Sequence, residues 1–229
     1  MNLKDKIVLI TGSSQGIGKE TAIQFAKERA KVIIIYNTNK KKGEETLKEC
    51  KKLTDCLIIQ LNITDLNSIK DCVEKVIDKF GAIDILINNA GVVVWKNFAE
   101  QSEKEIENQI DTNLTGLIKM TRAVLPYMKG QNEGIIINIS SMAGKEAYEE
   151  ITVYCATKFG VRVFTQSLAK ELPKGIRVYC INPGMTATQM TNYQGMPPKK
   201  VAEVIVKIAK EVLGKKSGED IDVENYLKI

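Results

Sequence analysis

The chain of 229 residues contains no histidine and a single tryptophan, and aromatic residues make up only 6% of it. Without an imidazole there is no Ser-His-Asp triad, so the commonest hydrolase chemistry is excluded. A Cys/His zinc site falls for the same reason: the five cysteines, at 50, 56, 72, 155 and 180, form no CxxC pair. No metal site is expected. An odd, scattered set of this kind reads as reduced thiols acting as small buried residues, Cys155 among them. Long apolar runs are missing too. The opening MNLKDKIVLITG carries charge at Lys4, Asp5 and Lys6 before a short apolar stretch, too brief for a signal segment or a membrane span. A cytoplasmic protein with no membrane partner is expected. The net charge of +5 is modest, and the lysines stand in short clusters separated by acids, with no interleaved aromatics. That pattern describes solvated helix faces, and no nucleic-acid partner is expected.

Apolar residues make up 44% of the chain, enough for a sizeable core. They fall into short runs bounded by turn residues: KIVLIT, VIIIY, CLIIQL, IDILIN, GIIINIS, IRVYCIN and a weak EDIDV. Such β-branched, nearly continuous runs suit parallel strands covered on both faces. Between them the pattern predicts helices over roughly 17–29, 41–53, 65–79, 103–129, 152–172 and 198–214. Thr64-Asp65 and Ser102-Glu103 mark two helix starts, and Gly130 and Pro173 stand near two ends. Strand–helix alternation through residues 1–229 implies one α/β domain: a doubly wound, Rossmann-like parallel sheet of about seven strands with helices on both faces.

Directly after the first strand comes Thr11-Gly12-Ser13-Ser14-Gln15-Gly16-Ile17-Gly18, and then a helix pattern. Glycines at 12, 16 and 18 permit a tight turn and close backbone approach to a pyrophosphate, with a helix N-terminus facing its charge. The spacing differs from the G-x-G-x-x-G fingerprint, and a purely structural turn is the bland alternative.

TGSSQGIG resembles the TGxxxGxG loop of the short-chain dehydrogenase/reductase family. Further segments match that family in order: Asn88-Asn89-Ala90-Gly91, Asn113 within DTNLTG, Ser140-Ser141, Tyr154-x-x-x-Lys158, and Pro183-Gly184 with Thr188. The chain is similar to 3-oxoacyl-acyl-carrier-protein reductases, and the resemblance implies hydride transfer between nicotinamide and a small-molecule carbonyl or alcohol substrate. The cofactor carries the hydride, so the protein must supply orientation and a proton. On a helix Lys158 lies one turn beyond Tyr154, and its ammonium favours the phenolate, bringing a phenol that titrates near pH 10 toward working pH. The resemblance makes Tyr154 the general acid or base and gives Lys158 the ribose hydroxyls. It gives Ser141, rather than Ser140, the substrate oxygen, and Asn113 a water leading from Lys158 to solvent. Taken singly, the same residues read as a surface pair, a strand-end turn and an amide patching a helix defect.

The cofactor residues implied are Gly12, Ser14, Gln15, Gly16, Ile17 and Gly18 in the loop; Tyr36, Asn37 and Thr38 after the second strand; Asn62 and Ile63 after the third; Asn89, Ala90 and Gly91; Tyr154 and Lys158; and Pro183, Gly184, Thr186 and Thr188. Relatives that prefer NAD place an acid at the end of the second strand; here Tyr36 and Asn37 stand there, and Thr38, Asn39 and Lys40 offer donors to a 2′-phosphate. NADP is therefore the expected cofactor, with NAD the alternative. Gln15 stands where a basic residue is common, Asn62 where an aspartate is, and Thr186 where an aliphatic residue is. The short TNYQGMPPKK segment and the DIDVENYLKI tail replace a longer lid and a glycine-rich strand, so the expected assembly is a homodimer, through the helices over 103–129 and 152–172, or a homotetramer. The rival reading is a nucleotide-binding sensor without turnover.

Overall fold

The computed structural model describes residues 1–227; Lys228 and Ile229, the last two residues of the DIDVENYLKI tail, lie outside the described residues. Seven strands form one sheet: β1 (Ile7–Ile10), β2 (Lys31–Tyr36), β3 (Cys56–Gln60), β4 (Ile85–Asn88), β5 (Gly134–Ile139), β6 (Ile176–Asn182) and β7 (Asp220–Asp222). Every pairing is parallel, in the order β3-β2-β1-β4-β5-β6-β7. The chain winds outward from β1 in one direction as far as β3, then returns to place β4 on the other side of β1. That reversal opens a crevice beyond the carboxyl ends of β1 and β4.

Helices α1 (Gly16–Lys27), α2 (Lys40–Cys50), α3 (Leu66–Phe80), α4 (Glu103–Ile110), α5 (Gly116–Gln131), α6 (Thr152–Glu171) and α7 (Pro198–Ala209) fill the connections. Side chains alternate along the strands, so each strand feeds two cores. Val8, Ile10, Ile34 and Ile137 point to one face, against Phe25 of α1 and Ile205 of α7. Leu9, Ile33, Leu86 and Ile136 point to the other, against Val73 of α3 and Val124 of α5. Each such isoleucine or leucine contributes roughly 1.5–3 kcal/mol on full burial, which is why the near-continuous apolar runs become central strands.

Several expected boundaries moved. The stretch expected as one helix over 103–129 is interrupted: α4 ends at Ile110, and Asp111–Thr115 forms a π-helical turn before α5 begins. Gly130 does not stop α5, which runs to Gln131 and ends on Asn132 in the left-handed region. The last helix ends at Ala209, ahead of the expected 214. The start signals hold: the Asp65 side chain accepts from Asn67 N, and Ser102 with Glu105 makes a reciprocal capping box.

Candidate active site

The expected site residues converge on a cleft of about 920 Å³ at the topological reversal. The glycine loop forms its floor. Gly12 and Gly16 have positive φ, +66° and +58°, which side-chain-bearing residues rarely adopt. Gly18 serves another purpose: a Cβ there would collide with the Gly12 carbonyl oxygen and stand 2.5 Å from Nδ2 of Asn89. That amide donates to the carbonyls of Thr11 (2.9 Å) and Gly12 (3.2 Å), while Thr11 Oγ1 accepts from the backbone N–H of Asn89 and Ala90. The loop is thereby locked to the end of β4. Ser13 completes the support, donating to Ile10 O and accepting from Ile35 N; it stands at an unspecified position of the loop motif.

No side chain caps α1, and its first turn holds no acid. Its free N–H groups, beside Gln15, Gly16 and Ile17, face the cleft and suit a pyrophosphate. The hollow that the absent glycine side chains leave fits a dinucleotide. Along the same wall lie Ser14, Asn37, Thr38, Asn39, Asn62 and Ile63. Tyr36 does not line the cleft: strand alternation turns it the opposite way from Ile35 and Asn37, and its ring packs beside Gly43 of α2. Gly18 likewise lies beneath the lining rather than in it. Lys40 is exposed and paired with Glu44 (3.7 Å). The cation at this rim is Lys42, whose Nζ donates to Gln15 Oε1 (2.7 Å) and Gln189 Oε1 (3.2 Å).

On the far side Ser141 opens a short 3-10 turn (Met142–Gly144), its Oγ accepting from Ala143 N. Ser140 is used up structurally, donating to Lys158 O (2.8 Å) and pinning α6 to the end of β5. Tyr154 and Lys158 stand one turn apart on α6, with Nζ 5.5 Å from the phenol ring centroid. Lys158 is only 4% exposed, and its Nζ donates to Ile139 O (2.9 Å). Burial pulls its pKa down to about 8. Burial pushes the Tyr154 phenol up to about 12, opposed by its hydrogen bond with Ser141. The expected lowering of the phenol is not seen: burial raises it, and the group that opposes the rise is Ser141, not the Lys158 ammonium.

Asn113 sits in the π-helical turn, fully buried behind the cleft wall. Its Oδ1 accepts from Val92 N (2.8 Å), and its Nδ2 donates to Val92 O (2.8 Å) and Thr157 Oγ1 (3.2 Å). Both amide hydrogens are used within the protein. A Cβ placed on Gly91 would lie 3.3 Å from Asn113 Oδ1 and 3.6 Å from Lys158 Nζ, so the three residues meet at one point. Pro183, Gly184, Thr186 and Thr188 close the cleft from β6, and Met142 N donates to Pro183 O. The tail supplies an unforeseen partner: Glu224 Oε1 accepts from Gly184 N (2.8 Å). Also unforeseen are the apolar groups at the mouth, Val93, Trp95, Tyr148, Ile151, Met185 and Met190, which come from three separate loops and share no motif.

A family model described as short chain dehydrogenase matches residues 6–197. The chain is 36% identical over 249 aligned positions to the 3-oxoacyl-[acyl-carrier-protein] reductase FabG of Thermotoga maritima, covering 100% of each. It is 35% identical over 224 positions to the NADP-dependent 3-hydroxy acid dehydrogenase of Schizosaccharomyces pombe, covering 89% of this chain and 86% of that one. Among solved structures, levodione reductase superposes with a TM-score of 0.90 at 23% identity, covering 96% of both chains. A glycine loop, a serine, and a tyrosine with its lysine meeting at the switch point of this sheet make the chain a member of the short-chain dehydrogenase family, an NAD(P)-dependent oxidoreductase acting on CH–OH and C=O groups.

Proposed function

We propose that the protein is an NADP(H)-dependent reductase of a 3-oxoacyl carbonyl, with Tyr154 as proton donor. The observation that carries this is the placement of Tyr154, Ser141 and Lys158 opposite the uncapped start of α1 in one cleft. When bound, the nicotinamide supplies the hydride. The chain does the rest. Burial favours the protonated Tyr154 phenol, so it holds the proton that a reduced carbonyl oxygen must receive. Ser141 donates to the same oxygen as charge develops on it. Lys158, beside the ring, offers an ammonium near the phenolate left behind and would hold the ribose hydroxyls of the bound cofactor. Asn113 acts as a positioning residue that sets the Val92 backbone and Thr157, the neighbour of Lys158. The 3-oxoacyl assignment draws on the reductase and 3-hydroxy acid dehydrogenase relatives.

The NADP preference rests on Asn37, Thr38, Asn39 and Lys42 at the adenosine end, where no acid among the described residues lines the wall. Titration should give tighter binding of NADPH than NADH, and Lys42→Ala should shrink that ratio about tenfold; clearly tighter NADH binding would overturn the preference. The same reading makes residues 1–229 one domain and the protein cytoplasmic. Its five cysteines suit a reducing compartment, and no helix among the described residues is long and apolar enough to cross a membrane. A homodimer follows from Ile110, Ile118, Phe159 and Val163, exposed on α4, α5 and α6. The decisive assay is NADPH absorbance with a 3-oxoacyl ester. Tyr154→Phe should reduce turnover about 10²- to 10⁴-fold, and unchanged turnover would sink the assignment of the proton donor.

A further inference from the structure

The turn that carries Ser141 is held from outside by three acids of one short segment, residues 220–224. Strand β7 runs beside β6, with Asp220 opposite Cys180 and Asp222 opposite Asn182, so it reaches the same carboxyl edge of the sheet as the site. Ile221 and Val223 are buried in the core shared with α1 and α7. Alternation therefore turns Asp220 and Asp222 to the opposite face, toward α6. Each acid grips a group that flanks Ser141. Asp220 accepts from Arg162 Nη2 (2.7 Å), and Nη1 of the same arginine donates to Gly144 O (2.6 Å). Asp222 accepts from Lys145 Nζ (2.7 Å) and from Asn182 Nδ2 (3.0 Å). Glu224, in the 3-10 turn Val223–Tyr226, accepts from Gly184 N (2.8 Å). A Cβ on Gly184 would collide with that carboxylate and stand 3.9 Å from Met142 Cγ, so only a glycine lets the acid approach. Pro183 O in turn accepts from Met142 N (3.0 Å). Two hydrogen bonds thus lead from Glu224 to the residue that follows Ser141.

Resting on the reductase reading above, we infer that residues 220–224 form an acidic comb that sets the Ser141 turn, with Asp222 and Glu224 as positioning residues for the reduction. None of the three acids lines the cleft, so they act only through their partners. Bonds to a carboxylate are roughly twice as strong as neutral ones. Those of Asp220 and Glu224 lead to backbone groups, Gly144 O and Gly184 N, and so fix the path of the chain rather than one rotamer. The serine hydroxyl must meet a carbonyl oxygen at hydrogen-bond distance, where a misplacement of about 1 Å costs on the order of 10²-fold in rate.

Three variants of the full chain test the comb, assayed with NADPH and ethyl 3-oxohexanoate. Glu224→Ala removes the acceptor at Gly184, Glu224→Gln keeps an amide oxygen there, and Lys145→Met releases Asp222. Glu224→Ala and Lys145→Met should each lower kcat about tenfold with KM for the ester within about threefold. Glu224→Gln should return kcat to within about threefold of the native value. A merely structural role would lower the urea midpoint and leave kcat per folded molecule unmoved. Native kcat in Glu224→Ala overturns the comb, and native kcat in Lys145→Met removes Asp222 from it. Hydrogen exchange reads the same turn without turnover, because the amides of Met142, Ala143 and Gly144 are each bonded. In Glu224→Ala the peptide spanning them should exchange about tenfold faster while the β4 peptide is unchanged. Unchanged exchange there overturns the link from Glu224 to the turn, whatever kcat does. If the native protein oxidises no NADPH with the ester, the reductase reading fails, and the exchange result alone decides whether the comb stands.

Discussion

The buried ammonium of Lys158 should show itself in how stability varies with pH. Its side chain is 4% exposed, it holds one carbonyl at 2.9 Å, and no carboxylate pairs with it among the described ion pairs. Burial lowers its pKa from 10.5 to about 8, equivalent to about 3 kcal/mol. In the unfolded chain the amine keeps its proton to about 10.5, whereas in the folded protein it releases it near 8. Between those values the unfolded state binds more protons, so folding stability rises with pH. The penalty is fully present below pH 8 and relieved toward 10.5. Lys158→Met removes the titration while keeping the length of the side chain. Urea melts of both proteins at pH 7 and pH 10 should therefore show the native protein gaining about 2–3 kcal/mol on the variant. Other titrating groups, Tyr154 included, are common to both and cancel in the difference. Should the gap between the two proteins be the same at both pH values, Lys158 is not carrying a buried charge and the electrostatic account of the site is wrong.

Glycine substitutions should separate close approach from mere flexibility. A Cβ on Gly144 would stand 2.5 Å from Ser140 Oγ and 2.8 Å from Lys158 O, so Gly144→Ala should cost about 2–4 kcal/mol in chemical denaturation and depress turnover by moving Ser141. Gly130, exposed inside α5 with nothing within 4 Å of its would-be Cβ, should behave oppositely, Gly130→Ala adding roughly 0.5–1 kcal/mol in the same melts. Arg162 joins α6 to β7 through Asp220 (2.7 Å) and to the Gly144 carbonyl (2.6 Å); Arg162→Met should destabilise by about 3 kcal/mol, partly restored by adding Asp220→Asn. Val163→Glu, on the exposed face of α6, should shift sedimentation toward monomer, and an unchanged profile would remove that face from the proposed dimer.

Much of the fold was legible because the period of the apolar residues is set by backbone geometry. A run such as GIIINI can be buried on both faces only as a central parallel strand, and β5 is buried along its whole length. The glycine loop and the Tyr154–Lys158 pair stood out through the family resemblance, since taken singly each reads as a structural turn or a surface pair. The π-helical turn at Asp111–Thr115 was not legible: its side chains continue a helical pattern, and the extra residue shows only when Asn113 is seen bonded to Val92 and Thr157. Tyr36 was misplaced although strand alternation alone would have turned it from the cleft. Trp95, Met190 and Glu224 escaped because their partners lie far along the chain, and no local pattern announces a contact of that kind. The direction of the Tyr154 shift escaped for another reason. Spacing shows that an ammonium is near, but only the folded structure shows how much water has been removed.

The interior of the sheet adds an uncharged brace to the Arg162–Asp220 pair that holds α6. Asn88, at the end of β4, donates to Thr121 Oγ1 of α5 and to Asn138 Oδ1 of β5, both at 2.9 Å; Asn138 donates in turn to Thr165 Oγ1 of α6 at 2.9 Å. Four buried polar side chains thus run from one helix, across two strands, to the helix that carries Tyr154 and Lys158. Hydrogen bonds of this kind are directional, whereas the isoleucines around them would tolerate a small slide of α6 along the sheet. The next residue along β4, Asn89, locks the glycine loop. The adjacent pair Asn88-Asn89 therefore fixes the two halves of the cleft against each other, one through the core and one through the loop. Asn88→Ala should loosen α6, leaving Asn138 and Thr121 with unmet bonds and costing about 2–3 kcal/mol. Asn89→Ala should instead spare most of the stability and weaken dinucleotide binding. If both variants lost stability equally and bound the dinucleotide equally well, this division of labour would be refuted.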